Sequence, residues 1–340
     1  MDIPPIKPKV TEYQKIRVTC QCGKVHTGQF PETIKAYVQI GSVLKSMLVY
    51  FNVQHVIPYQ RLTQIMNDLF GVKICKRTIE NTLIEGGNKA SPVCDQIMSL
   101  ILSAPWVGSD ETGCRVRKKR WWQWVWQTPF ASYYAVDKSR GYAVVKEHFG
   151  ENYDGVLIHD CWSAHNNTVA KAGHQQCIAH IQRDLQFLIE AYRSKWAYDF
   201  SEFLKSAQKA RDHIYSDDFD STLKTTVIEA YRNKLNQFLV KTGHNNDILR
   251  LQKRIIKHQD AILLFMNYPD LPAHNNGSER AIRMAKVKQK ISGCFRSPHG
   301  ASRYVNILSV IETAKKHNLH ILTAIQHLFS GSLVFSACPR

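Results

Sequence analysis

The chain has 340 residues, 44% of them hydrophobic and 21% charged, which describes an ordinary globular protein long enough for one large core or two to three small ones. A formal charge of +17 and a pI near 9.5 are less ordinary, and they point to polyanionic partners, nucleic acid before membrane surface. No apolar run approaches the roughly 20 residues of a membrane span, the opening Met1-Asp2-Ile3-Pro4-Pro5 carries no secretory pattern, and nine scattered cysteines suit reduced thiols, so a soluble cytoplasmic protein without a membrane partner is expected.

Residues 1–33 are polar and contain Cys20-Gln21-Cys22-Gly23 followed by His26. A C-x-C with no second pair nearby is an incomplete zinc element, so Cys20 and Cys22 are a candidate metal pair set against a short hairpin. Residues 34–104 read as helical. An apolar-periodic segment runs from Ile34 to about Phe51, and Pro58 opens a second helix that stops at Gly71. A third begins at Lys76 or Arg77 and is expected to stop at Gly86-Gly87. Helix, short turn and helix make a helix-turn-helix pattern, which would offer Lys76, Arg77, Thr78 and Asn81 to base edges or phosphates.

Trp106 to Asp137 reads as three strands in an antiparallel meander, with turns at Arg117–Arg120 and Thr128-Pro129-Phe130. The middle strand alternates Trp122, Trp124 and Trp126 with Gln123, Val125 and Gln127, the two-residue period of a half-buried strand whose tryptophans face the core. Asp110 sits within the first strand beside Glu111 and Thr112, where a carboxylate is costly unless something pairs with it. After Ser139-Arg140-Gly141 a helix runs to about Phe149, and Gly155 to Asp160 is a short apolar strand of the kind buried on both faces. A fifth strand spans His174 to Ile178 and leads into a helix. Residues 191–268 form a helical insertion, 269–318 complete the core with a loop and a helix starting near Glu279, and 319–340 are a C-terminal tail. Together with 105–190 these are the expected divisions of the chain.

The order β-β-β-α-β-α-β-α, giving a mixed five-stranded sheet, is the ribonuclease-H-like arrangement, here with a helical insertion and an N-terminal helix-turn-helix region. Its first and fourth strands lie side by side, so Asp110 and Asp160 are expected to project close together. Two such carboxylates repel unless a cation lies between them. A hard divalent ion, Mg²⁺ or Mn²⁺, is the natural answer, with Glu279 as a third ligand. Two ions about 4 Å apart would activate a water or a 3′-hydroxyl for in-line displacement at a phosphodiester. Arg280, Arg283, Lys286, Lys288 and Lys290 follow Glu279, and are expected to meet phosphates.

Asp110-Glu111-Thr112, Ser139-Arg140-Gly141, the Gly155–Asp160 strand, Cys177-Ile178-Ala179-His180 with Arg183-Asp184, and Asn275-Asn276-x-x-Glu279-x-x-x-Arg283 occur in one order from about Trp106 to Leu319. On these pieces the chain resembles the DDE transposases of the insertion-sequence-66 family. The resemblance implies that Asp110, Asp160 and Glu279 are a catalytic, metal-binding triad for cutting and joining transposon-end DNA. It also implies that Cys177 and His180 form a C-x-x-H element with a structural or positioning role. Double-stranded DNA, a homo-oligomer when active, accessory transposition proteins and association with the nucleoid follow from the same likeness. The family usually carries a longer N-terminal region with a four-cysteine zinc element, of which only Cys20 and Cys22 remain, so a shortened member is expected. Two other readings compete: a DNA-binding transposon remnant or regulator without catalysis, and a zinc hydrolase built on His159, Asp160, His165, His174 and His180.

Overall fold

In the computed structural model, which describes residues 1, 2, 4, 6–240 and 245–336, the chain is a mixed α+β protein. The expected insertion (191–268), tail (319–340) and N-terminal segment (1–33) therefore fall partly outside the described residues.

Strands β1 (Arg17–Thr19) and β2 (Val25–Thr27) form an exposed hairpin whose turn holds Cys20 and Cys22. Helix α1 (Ser42–Val49) begins after Gly41, later than Ile34, and continues as one π-helical turn to Gln54. Helix α2 (Tyr59–Phe70) ends on the left-handed Gly71, where a side chain would be strained. Helix α3 (Lys76–Leu102) does not stop at Gly86-Gly87 but runs 27 residues through both glycines and Pro92. The glycines serve packing, not termination. A Cβ on Gly86 would meet Phe329 and Ile307 at 3.4 and 3.5 Å, and one on Gly87 would lie 2.6 Å from the Arg303 side chain.

Then come β3 (Trp106–Val116), β4 (Lys119–Gln127), β5 (Ser132–Asp137), α4 (Tyr142–His148), β6 (Asn152–Tyr153), β7 (Val156–His159), α5 (Ser163–Asn166), β8 (Val169–Ala170), β9 (His174–Gln176) and α6 (Ile178–Tyr192). The central sheet has the order β5-β4-β3-β7-β9, antiparallel through the meander and parallel from β3 onward. The meander, the parallel fourth and fifth strands and their neighbours are as expected; β6 and β8, a two-residue parallel pair, were not.

Helices α7 (Lys195–Ile214), α8 (Lys224–Phe238) and α9 (Asn246–Lys257) follow α6, then α10 (Asn276–Ser292), α11 (Pro298–Lys316) and α12 (Ile321–Ser330). Two apolar clusters result. One joins the sheet to α1, α3, α4, α11 and α12. The other joins Val156 and Ile158 of β7 to α6 and to the helices of 195–257.

Helix α11 also covers the edge of the sheet. Ser309 Oγ accepts from Tyr134 N at 2.9 Å and Thr313 Oγ1 from Ser132 N at 3.1 Å. Four helical residues rise about 6 Å and two strand residues about 6.6 Å, so one turn of α11 matches the donor spacing of β5. An edge that would otherwise be sticky is thereby satisfied. A second helix corrects the half-buried reading of β4. Trp124 and Trp126 are core, stacked 6.0 Å apart, but Gln123, Val125 and Gln127 on the other face are buried too, beneath α10. Trp122 alone of the three is partly exposed, lying under the Arg120 and Arg140 guanidinium groups.

Gly→Ala inside a helix ordinarily stabilises by up to about 1 kcal/mol. Gly87→Ala is expected instead to destabilise by about 1–3 kcal/mol, because α3 and α11 would have to separate. Urea unfolding measures this directly; a more stable variant would mean that the α3–α11 contact is not as close as described.

Candidate active site

The candidate site is built by register. The last parallel pair between β3 and β7 is Gly108 with Ile158. Asp110 and Asp160 each lie two residues further along, on the same face and at the same height, because side chains alternate with period two. Backbone amides fix both: Asp110 Oδ1 accepts from Glu111 N at 2.8 Å, and Asp160 Oδ1 from Trp162 N at 2.9 Å. Burial, then the charges of Glu111, Asp160 and Glu279, push the Asp110 carboxyl up to about 8.

Glu279 arrives in the first turn of α10. That turn is tied to β3 by Asn275 Nδ2, which donates to Ser109 O at 2.6 Å, and to α6 by Asn275 N, which donates to Cys177 Sγ at 3.1 Å. Gly108 is required here. A Cβ at that position would lie 2.7 Å from both Asn275 Oδ1 and Ser278 Oγ, so the α10 turn could not sit on the strand. Glu279 itself is engaged by α6: Oε1 pairs with Arg183 at 2.6 Å and lies 3.5 Å from His180 Nδ1. Among the described residues, the three-residue group whose ligand atoms all fall within 4.8 Å is Cys177, His180 and Glu279, without either aspartate. The structure thus brings Asp110 and Asp160 into register and Glu279 near them, with Glu279 drawn toward His180 and Arg183.

Behind the aspartates lies a buried network that the sequence did not reveal. Glu111, beside Asp110 but on the opposite face, bonds Arg140 at 2.7 Å and His165 Nε2 at 3.1 Å. Burial alone would raise its carboxyl, but His165 and Arg140 outweigh that and hold it below the usual range. Arg140 is in turn stacked 3.6 Å from the Trp162 ring and 4.5 Å from that of Trp122. His159 bonds His174 at 2.9 Å and the Asp160 carbonyl, and burial with two neighbouring imidazoles pushes its own ring well below the ordinary histidine value. His159, His165 and His174 therefore form a packed layer beneath the sheet, whereas His180 stands with Glu279. The five residues of the zinc-hydrolase reading are split between two places. Only Asp110-Glu111 adjacency hinted at this network, since Glu111 and His165 are 54 residues apart.

The remaining sequence candidates distribute as follows. Lys76, Arg77 and Asn81 are exposed at the start of α3, Arg77 being paired with Glu80. Arg280, Arg283, Lys286 and Lys290 are exposed on α10, with Lys286 Nζ donating to Gly113 O at 3.0 Å. Lys288 instead turns inward over Phe295 and Tyr304, and burial lowers its ammonium to about 8. Cys20 and Cys22 are exposed, free thiols. Cys177 is buried at the N-cap of α6.

The donor set fits a hard divalent cation: the facing groups are carboxylates, and Asp110 in such company holds its proton well above the ordinary value unless positive charge is supplied. The sign follows. Below about pH 4 Asp110 is neutral folded or unfolded; above that the unfolded chain ionises first, and folded stability falls until about pH 8. In metal-free protein at about pH 7.5, Asp110→Asn is therefore expected to stabilise by about 1–3 kcal/mol, and to gain little at about pH 4.5. Thermal unfolding at both pH values checks this; equal loss of stability at both would contradict it.

Comparison with known proteins places the chain in a family. The profile described as "Transposase IS66 family" matches residues 38–303, more than three quarters of the chain. An uncharacterized protein of Sinorhizobium fredii, y4jO, is 27% identical over 154 residues, which cover 43% of this chain and 44% of that protein. The chain thus spans under half the length of this curated relative. No helix among the described residues is long and apolar enough to cross a membrane. The chain belongs to the IS66 transposase family.

Proposed function

We propose that the chain is a transposase that cleaves and joins insertion-sequence ends with Asp110, Asp160 and Glu279 as its acidic triad, on a sheet of the ribonuclease-H-like kind. The observation that carries this reading is the equal register of Asp110 and Asp160 beyond the Gly108–Ile158 pair, with Glu279 on a turn anchored to the neighbouring Ser109 carbonyl. Two like-charged side chains fixed side by side by backbone amides are stable as a pair of anions only when they share positive charge.

Asp110 and Asp160 would hold Mg²⁺ or Mn²⁺, with Glu279 completing the set after release from Arg183. Bound there, such ions supply a lowered pKa to a water or 3′-hydroxyl and charge neutralisation at the phosphodiester. The residues do the rest. Backbone amides of Glu111 and Trp162 orient the aspartates. Asn275 holds α10 over β3. Arg183, on release, is free to meet a phosphate.

DNA contact by Arg280, Arg283, Lys286 and Lys290 is supported by their exposure along the helix that carries Glu279 and by the chain's charge of +17. Contact by Lys76, Arg77 and Asn81 is supported by their exposure where α3 follows the 71–75 turn, as in a helix-turn-helix. Double-stranded transposon ends and target DNA, a multimeric active form, accessory transposition proteins and a cytoplasmic, nucleoid-associated setting belong to the same reading. So does a division into helical DNA-binding, catalytic and inserted helical regions.

Labelled transposon-end duplex with Mg²⁺ or Mn²⁺ tests it. Wild type is expected to cut, and Asp110→Asn, Asp160→Asn and Glu279→Gln to lose at least about 1000-fold in rate while retaining DNA binding. DNA binding without cutting by wild type would favour the regulator reading, and full activity in the three variants would remove the triad.

A further inference from the structure

Cys177, His180 and Glu279 bring together a thiol, an imidazole and a carboxylate, with one ligand atom from each lying within 4.8 Å of the others. The donors come from two elements. Cys177 caps α6 and His180 follows three residues later, on the same face one turn along. Glu279 reaches them from the first turn of α10. The two turns are clamped: Ile178 N donates to Ala273 O at 2.9 Å and Asn275 N to Cys177 Sγ at 3.1 Å.

A second observation marks the spot. His180 Nδ1 is shielded from solvent, makes no hydrogen bond and faces Glu279 Oε1 at 3.5 Å. His274 Nδ1, on the turn that precedes α10, is likewise without a hydrogen-bond partner. Buried polar atoms seldom stay unpaired, and each one asks for an unseen partner.

We infer that Cys177, His180 and Glu279 form a binding site for a borderline-soft divalent cation of the zinc class, distinct from the Asp110–Asp160 pair but sharing Glu279 with the triad proposed above. The chemistry selects the ion. A sulfur donor disfavours Mg²⁺ and Ca²⁺, whereas sulfur, nitrogen and oxygen together suit Zn²⁺ or Co²⁺. Tetrahedral bonds of about 2.0–2.3 Å need donors about 3.3–3.8 Å apart; His180 Nδ1 and Glu279 Oε1 already stand at 3.5 Å, and the wider pairs lie within 4.8 Å. Three protein ligands leave a fourth position for water or a substrate oxygen.

Binding releases the Cys177 proton to solvent; burial pushes the thiol up, so the cation itself must supply the charge that holds the thiolate. It also displaces Arg183, whose exposed side chain has solvent to swing into. Because Glu279 serves both sets, a zinc-class ion there withdraws it from the aspartates, so the two metals antagonise one another. That last consequence rests on the proposed triad; the site itself does not.

The test uses the full chain, without DNA. Co²⁺ is titrated into metal-free protein and the thiolate-to-cobalt charge-transfer absorption is followed, then Zn²⁺ is added to bleach it. One equivalent of thiolate-bound Co²⁺ is expected. The band should persist in Cys20→Ser/Cys22→Ser, disappear in Cys177→Ser, and require about tenfold more Co²⁺ in His180→Ala. Cys177→Ser keeps the side-chain size at the cap, and His180 is partly exposed, so at least one of the two is expected to fold, as circular dichroism will report. Absence of the band in wild type, its survival in Cys177→Ser, an unshifted Co²⁺ titration in a folded His180→Ala, or its loss in the Cys20/Cys22 variant would overturn the inference. A chain that cuts DNA with Mg²⁺ yet shows no band fails this inference alone; one that binds Co²⁺ and cuts nothing fails the transposase reading alone.

Discussion

Three parallel pairs, Trp106–Val156, Val107–Leu157 and Gly108–Ile158, are the constraint on which the candidate site depends. Slip either strand by one residue and one aspartate turns to the opposite face. The register is held because both faces are buried: Val107 and Leu157 go to one apolar cluster, Val156 and Ile158 to the other. Moving an aspartate would therefore also drive apolar groups into the wrong layer. Hydrophobic burial, at about 25 cal/mol per Å², thereby fixes two like charges that would not choose to be neighbours.

The buried layer of Glu111, His165, His159 and His174 then reads as support for those charges. Glu111 stays ionised because Arg140 and His165 pair with it, and Arg140 stays in place because Trp122 and Trp162 sandwich it. Trp162 N in turn holds Asp160. The second acidic residue is thus linked to the residue following the first through a chain of paired groups, and each link leaves few polar atoms free. Glu279 is held differently. Its turn is fastened by Asn275 to β3 and α6, but its carboxylate has an alternative partner in Arg183. A pair of aspartates held by backbone amides and a glutamate held by an arginine give the site its asymmetry.

The meander and its parallel continuation were legible because Trp122, Trp124 and Trp126 alternate, short turns separate the strands, and Val156–Ile158 is a continuous apolar run. The Asp110–Asp160 juxtaposition followed from strand order alone. What could not be read depends on contacts remote in sequence. Gly86-Gly87 looks like a helix stop until Arg303, Ile307 and Phe329 are seen pressing on it. Gln123 and Gln127 look solvated until α10 covers them. Lys288 belongs by spacing to a basic face, yet the helix turns it over two aromatic rings. The pull of His180 and Arg183 on Glu279 crosses almost a hundred residues, and β6 and β8 are too short to carry any period.

The central claim is that Asp110 and Asp160 share a divalent cation. The most direct measurement is the anomalous scattering of Mn²⁺ in crystals of the wild-type chain. The account predicts a peak about 2.0–2.3 Å from a carboxylate oxygen of each aspartate, with Glu279 turned from Arg183 toward it. A peak that avoids both aspartates, or none at all at Mn²⁺ concentrations that support DNA cleavage, would contradict it.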